Sequence, residues 1–453
     1  MRLNIYHTND IHADFSFLSR VCAYLSGHRK ESDLYFDSGD FLDLKSILVQ
    51  ADRGKGALKL MGLCRPEAMA LGNNEIDLGS ADLEKLDFPL LCANICRGDG
   101  TPVPGLKSHV ILERRGKRFL VAGLAPYYGI GMIANKYNLF FEMGNLRTVD
   151  PIPAVTRILN ENRGKYDFSI LLSHSGHLVD RELAKRLPPV DLWLGGHSHA
   201  VITEDRYSQS GKGEFLGRVT LEVQEQGIQI LESTQIRLPE QGSGQFDARL
   251  EKAQANAEAL LSRELPILRE LDFDPFRESE LINFICDCLK AEFGGDLAVM
   301  HSGIALGPLR RPVSRKSLIE ILPSKLNPTI YSLPGEKLLE AIKRSMDDVH
   351  IRQSGQGSGF RGTVLGCLGF SSNVSLCRAP FAVQVNGSPL DPDKTYTIVT
   401  DDYLQRGSGY PSLAVPDAEA RFDKRFIRDL VQEYLTKEAV FRSAAIARES
   451  AAT

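Results

Sequence analysis

Long apolar runs are missing from this sequence. No window reaches the roughly 18 uninterrupted apolar residues that cross a bilayer, and no apolar core follows the opening MRLNIYHTND. The expectation is a chain with neither membrane span nor secretory leader, placed by default in the cytoplasm. An excess of either charge is missing too: 54 Lys and Arg stand against 58 Asp and Glu, a net charge of -4. That balance argues against a broad basic surface for a nucleic acid duplex or an anionic membrane. Cysteine is sparse, with eight in 453 residues, and most of them sit in apolar runs such as FPLLCANIC and LINFICDCL. This is the pattern of buried thiols rather than of a disulfide framework. Cys92 and Cys96 have the spacing of half a metal site, but no CxxC pair accompanies them, which favours ordinary core cysteines. What is present is a globular composition, 43% hydrophobic and 25% charged, long enough for two or three domains with full cores.

The first 200 residues alternate short apolar runs with helical stretches, the mark of an α/β domain. The runs LNIY (3 to 6), DLYF (33 to 36), AMAL (68 to 71), FSILLS (168 to 173) and DLWLGG (191 to 196) are too short for amphipathic helices and read as buried strands. Helices are expected in DFSFLSRVCAYLSGHRK and IPAVTRILNENRGKY, the latter behind Asp150 and Pro151 as cap and first-turn residue. Residues 215 to 233 alternate as a β-hairpin and close a first domain, 1–240. A polar, alanine-rich helical run within 241–270 reads as a solvated connector and hinge. A second domain, 271–453, opens on the helix ESELINFICDCLKAEF, and HIRQSGQGSGFRGT (350 to 363) within it reads as a flexible loop rather than a phosphate cradle. The second domain is expected to close over the first by rotation at the connector.

Each of the five apolar runs ends in residues able to bind a divalent metal. HTNDIH supplies Asp10 and His12, DSGD supplies Asp37 and Asp40, GNNE supplies Asn73, SHSGH supplies His174, and GGHSH supplies His197 and His199. The carboxyl ends of parallel strands share one edge of a sheet, so these residues converge on one crevice. A single histidine after a strand is usually structural. Asp, His and Asn at five strand ends together favour a metal centre.

The combination HTNDIH, DSGD, GNNEIDLG and GGHSHA resembles the calcineurin-like metallophosphoesterases, and within them the 5'-nucleotidase, UDP-sugar hydrolase and cyclic phosphodiesterase branch. ILP (321 to 323) and VNGSPLDPDKTYTIVTDDYL (385 to 404) are similar to that branch's C-terminal domain. The resemblance implies a four-layer αββα sandwich followed by a smaller mixed α/β domain that binds substrate. It implies two divalent ions (Mn, Zn, Fe, Co or Ni) about 3.5 Å apart, bridged by Asp40 and a hydroxide that attacks phosphorus. Asp10, His12 and His199 would hold one ion, and Asn73, His174 and His197 the other. Asp37 would orient a turn or a ligand histidine, and His7 would serve packing or a turn. The implied activity is hydrolysis of a small nucleotide-like phosphate ester, with no oligomeric state assigned.

Several positions depart from the family pattern. Asn74 stands where the resemblance implies a catalytic His, leaving its partner position, Asp77, with no imidazole to orient. An amide still donates a hydrogen bond but has no proton to give, so the expectation is a preference for good leaving groups or an acid borrowed from elsewhere. Ala305 replaces a phosphate-clamping Arg, with Arg310 or Arg311 as a substitute and a solvated pair as the competing reading. Ser408 replaces an Asp that contacts ribose. Phe370, Tyr403 and Tyr410 are the residues considered for stacking a nucleobase, against a reading as buried packing. Asn74 and Ala305 also support a second function class, a metal- and nucleotide-binding protein without turnover.

Overall fold

The computed structural model describes residues 1–77, 86–127, 146–357 and 359–450. The chain divides into two compact units, Met1–Leu260 and Leu261–Thr453. In the first, the strand Arg2–Thr8 is the third of seven in one sheet. Leu34–Asp37, Ala68–Ala70, Leu90–Leu91 and Leu106–Lys107 follow in parallel on one side. The hairpin Leu216–Gln224 and Gly227–Ile236 adds antiparallel on the other. A six-stranded sheet is built around Phe168–Ser173, with Lys117–Leu124 and Leu192–Gly195 parallel to it on either side.

Period-two alternation inside these strands creates the layers. Leu3, Ile5, Leu34, Phe36, Ala68, Ala70 and Leu91 face Phe119, Val121, Phe168, Ile170, Leu172 and Leu194 across the space between the sheets. The opposite faces carry Tyr6, Tyr35 and Met69 against the helix Phe15–His28, and Leu120, Leu171 and Trp193 against the helices Pro151–Glu161 and His177–Arg186. The order is therefore helix, sheet, sheet, helix. Strands buried on both faces must be apolar at every position, which is why they read as continuous runs. Both expected helices form, with Asp14 accepting from Phe17 N at 2.8 Å and Asp150 accepting from Ile152 N at 2.9 Å as caps.

Within 241–270 the polar, alanine-rich run is helical. The helix Gly244–Leu261 packs Phe246 and Ala257 into the core of the first unit, and Asp247 accepts from Ser19 Oγ at 2.6 Å. Its polar composition reflects one exposed face, and its few apolar residues are enough to seat the other.

The second unit holds a five-stranded sheet, ordered Leu368–Phe370, Leu297–His301, Thr395–Asp401, Pro328–Pro334, Ala420–Phe422, with the helix Glu280–Phe293 packed on it. A smaller sheet is built on Val374–Arg378 and Phe381–Val385. The 350 to 363 loop is anchored by Phe360, buried against the ring of Tyr403, and by Lys325 N donating to Gly359 O at 2.8 Å. No helix among the described residues is long and apolar enough to cross a membrane.

Candidate metal centre

Past the end of the central sheet, two loops remain hydrogen-bonded to each other. Ser38 N donates to Thr8 O, Asp10 N to Gly39 O, His12 N to Asp40 O and Ala13 N to Phe41 O, at 2.7 to 3.0 Å. These bonds fix Asp10, His12 and Asp40 along one rim. The second sheet is stitched to the same rim: Ser38 Oγ donates to Leu194 O at 2.9 Å, and His174 Nδ1 to Ser38 O at 2.7 Å. Asp10 then accepts from His197 N with both carboxylate oxygens, at 3.1 and 2.9 Å.

The backbone adopts an uncommon conformation where the ligands sit. Asp10, His12, Asp40, His197 and His199 have φ of 50°, 49°, 54°, 71° and 53°, in the left-handed region where glycine is the usual occupant. Side chains placed there at a cost of order 1 kcal/mol each are a mark of function. Glycine is kept where contact is closest: a Cβ on Gly72 would meet Asp40 Oδ1 at 2.1 Å, and one on Gly196 would meet His174 Nδ1 at 2.8 Å.

Two His/Asp groups result, Asp10 with His12 and His199, and Asp40 with His174 and His197, the ligand atoms within each lying inside 4.8 Å of one another. The donor set fits a pair of divalent ions. With Nδ1 donating to Ser38 O, His174 turns Nε2 toward Asp40 Oδ2 (3.4 Å) and Asp10 Oδ1 (3.7 Å), and this buried nitrogen makes no hydrogen bond. Asn73 Oδ1 is likewise buried and without a partner. His12 Nε2 and His199 Nε2 lie within hydrogen-bond distance at 3.0 Å, a pair of nitrogens that a cation could share in place of a proton.

Charge explains the protonation of the ion-free groups. Burial works to lower the pKa of His174 and His12, but Asp40 and Asp10 take His174 up to about 10, and contacts with Asp10 and Asp43 take His12 up to about 9. Burial works to raise Asp10, yet His174 and His12 hold it far below the usual carboxylate range. Burial and the His174 charge lower His197 to about 4.

Asp37 holds a turn, accepting from Thr8 Oγ1 at 2.7 Å and Gly39 N at 2.9 Å, with burial pushing it up to about 8. His7 is fully buried on Ser208 Oγ at 2.9 Å and lowered by burial to about 3, a packing histidine. Asn74 donates Nδ2 to Asp40 Oδ2 at 3.0 Å and its main-chain N–H to Asp40 Oδ1 at 2.8 Å. The side chain of Asp77 lies outside the described residues.

The substrate residues considered in the second unit are engaged with neighbours inside that unit. Phe370, Tyr403 and Tyr410 are 3%, 1% and 0% exposed and lie inside its core. One face of Tyr403 carries Phe360 at 4.9 Å and 23°, and His301 packs against the ring at 4.9 Å. Arg310 is engaged by Glu270 and Asp272 in an exposed ion cluster, and Arg311 donates to Ile267 O and Leu268 O. Cys92 and Cys96 donate to Asn94 Oδ1 and Arg147 O, and no candidate metal group among the described residues contains a cysteine.

Sequence reasoning missed three supports. Glu75 accepts from Asp40 N, Leu42 N and Gly72 N at 2.8 to 2.9 Å, holding Asp40 in place. Asp180 accepts from Ser173 Oγ at 2.5 Å and Tyr207 OH at 2.9 Å beneath the His174 loop. Asp43 faces His12. A carboxylate within the DSGDFLD and GNNE motifs was a readable signal for Asp43 and Glu75; Asp180 lies in an ordinary helical stretch and carried none.

Comparison with known proteins agrees with this geometry. Residues 3–201 match the calcineurin-like phosphoesterase family, and residues 258–414 match the 5'-nucleotidase C-terminal domain. The chain thus joins a calcineurin-like phosphoesterase domain to a 5'-nucleotidase C-terminal domain. It is therefore a phosphoesterase, a hydrolase. This phosphoesterase is 27% identical to the uncharacterized metallophosphoesterase YunD of Bacillus subtilis, over 95% of this chain and 98% of that one. It is 24% identical to the 5'-nucleotidase of Rattus norvegicus, over 89% and 83%. In fold it is similar to the Haemophilus influenzae NAD nucleotidase NadN (TM-score 0.66, 15% identity, all of both chains). It is also similar to a putative 5'-nucleotidase from Staphylococcus aureus (TM-score 0.62, 17% identity, 99% of both).

Proposed function

We propose that this phosphoesterase hydrolyses phosphate esters of small nucleotide-like molecules at a centre of two divalent ions. The observation that carries the reading is the pairing of two His/Asp groups on one rim, with His174 Nε2 among them and Asn73 Oδ1 both buried and without a hydrogen bond. Asp10, His12 and His199 would hold one ion, Asn73, His174 and His197 the other, with Asp40 serving both. Such ions supply Lewis acidity to phosphoryl oxygens and a strong oxygen nucleophile at neutral pH.

The protein's own groups orient and hold. Glu75 and Asn74 fix both the main chain and the carboxylate of Asp40. Asn74 stands where the family resemblance implies an acid, and an amide delivers no proton to the leaving group. Esters with good leaving groups are accordingly the favoured substrates.

The test is hydrolysis of p-nitrophenyl phosphate and bis(p-nitrophenyl) phosphate with added manganese, followed by nucleoside monophosphates, cyclic nucleotides, dinucleotides and nucleotide sugars. Turnover that requires metal, and that chelation or Asp40→Ala abolishes, is the expected result. Full metal binding with no turnover on any of these would sink the reading. It would support instead a metal- and nucleotide-binding protein, the alternative favoured by Asn74 and by the burial of Ala305 where the resemblance implies a clamping Arg.

A further inference from the structure

We propose that Asp43 is a positioning residue for this centre, its carboxylate holding the His12 imidazole so that Nε2 points at the ion that Asp10, His12 and His199 would bind. The inference rests on the two-ion reading and adds to it a residue that acts on one ion alone. Asp43 is 6% exposed, and its two oxygens have separate tasks. Oδ1 accepts from Lys45 N at 2.8 Å, and the main-chain carbonyl accepts from Ser46 N at 3.0 Å, so the turn immobilises the carboxylate. Oδ2 lies 3.3 Å from His12 Nδ1. The far nitrogen of the same ring, Nε2, lies 3.0 Å from His199 Nε2 and 3.7 Å from Asp10 Oδ1.

A neutral imidazole binds a cation through Nε2 when its proton resides on Nδ1, and an acceptor at Nδ1 selects that tautomer and fixes the plane of the ring. The carboxamide of Asn74 comes within 3.3 Å of the same Nδ1, but as a donor it cannot partner an N–H. Its Nδ2 also donates to Asp40 Oδ2 at 3.0 Å, so of these two neighbours of Nδ1 the Asp43 carboxylate is the one that can accept its proton. His174 is held differently, with its Nδ1 on the main-chain carbonyl of Ser38 at 2.7 Å. One imidazole thus depends on a side chain and the other on the backbone, so a substitution at position 43 reaches one site and spares the other.

The experiment is calorimetric titration of the metal-free full-length protein with manganese chloride, comparing wild type with Asp43→Asn and Asp43→Ser. Both variants keep an oxygen for the turn. Asn loses the charge, and Ser is too short to reach the imidazole. Wild type should bind two ions per chain. Each variant should keep one site near wild-type affinity and weaken the other about 10- to 100-fold, with the melting temperature of the metal-free protein little changed. Wild-type affinity at both sites in both variants would overturn the proposal. So would an equal loss at both sites accompanied by a lower melting temperature, the signature of a turn residue alone. A wild-type protein that binds fewer than two ions would remove the proposal together with the two-ion reading, and is recognised without any variant.

Discussion

At Asn74 the side chain and the main chain both donate to Asp40, so the residue in place of an acid serves as a brace. Asn74→His should restore a proton donor, and general acid catalysis is typically worth about 10²–10⁴-fold. The expected outcome is a gain in kcat/KM for an alkyl phosphate that exceeds the gain for p-nitrophenyl phosphate; equal changes on both would contradict it. Glu75 is a second brace, since three main-chain N–H groups converge on its carboxylate. Glu75→Ala strands buried donors and should lower stability by about 1–3 kcal/mol, read by urea unfolding of the metal-free protein, and should weaken metal binding because Asp40 loses its anchor. The candidate ligand residues were legible as types at strand ends. The braces were not, because a carboxylate that bonds main-chain N–H groups looks like any other until the backbone is placed.

At the level of elements, the site is two loops that stay paired after their strands have left the sheet, and glycines set how closely they approach. A Cβ on Gly72 would overlap Asp40 at both Oδ1 and its main-chain nitrogen, at 2.1 and 2.4 Å. Gly72→Ala should therefore push Asp40 away, and calorimetry with manganese should show a large loss of affinity while circular dichroism stays near wild type. The helix Phe15–His28 begins directly after the first of these loops, capped by Asp14. Asp14→Ala should cost about 1 kcal/mol, visible as a lower melting temperature. Strands and helices were readable here because double burial and capping leave local signatures. In the helix Gly244–Leu261 the buried face left no such signature, because Phe246 and Ala257 are too few to announce it in a polar helix.

For the whole molecule, the groups of the centre whose pKa values are raised lie in the first unit and act in one direction between pH 6 and 9, while the lowered Asp10 and His197 act in the opposite direction, mostly below pH 6.5. His12 and His174 are raised to about 9 and 10, so their contribution to stability is full below their unfolded value near 6.5 and is lost as pH rises through 9 to 10. Asp37, Glu75 and Asp180 are raised mainly by burial, to about 8, 7 and 7, and each penalises the folded state progressively as pH climbs from about 4 to those values. The metal-free protein should therefore lose stability from pH 6 to pH 9. Manganese should tighten over the same range, because binding must displace the imidazole protons. Thermal melts at pH 6, 7.5 and 9, with and without manganese, check this; a metal-free protein that grows more stable toward pH 9 would contradict it.

The order of residue types along the chain was enough to place five buried strands, the loops that end them and the candidate metal-binding side chains those loops carry, because strand burial and loop position are local properties. What only the folded chain decided is which polar groups meet: that Asp43 faces one imidazole and a bare carbonyl the other, that Glu75 gathers three N–H groups, and that Tyr403 spends its ring on Phe360 and His301. Contacts of a few ångströms between distant segments depend on backbone angles and packing distances, and no pattern of neighbouring residues encodes those by itself.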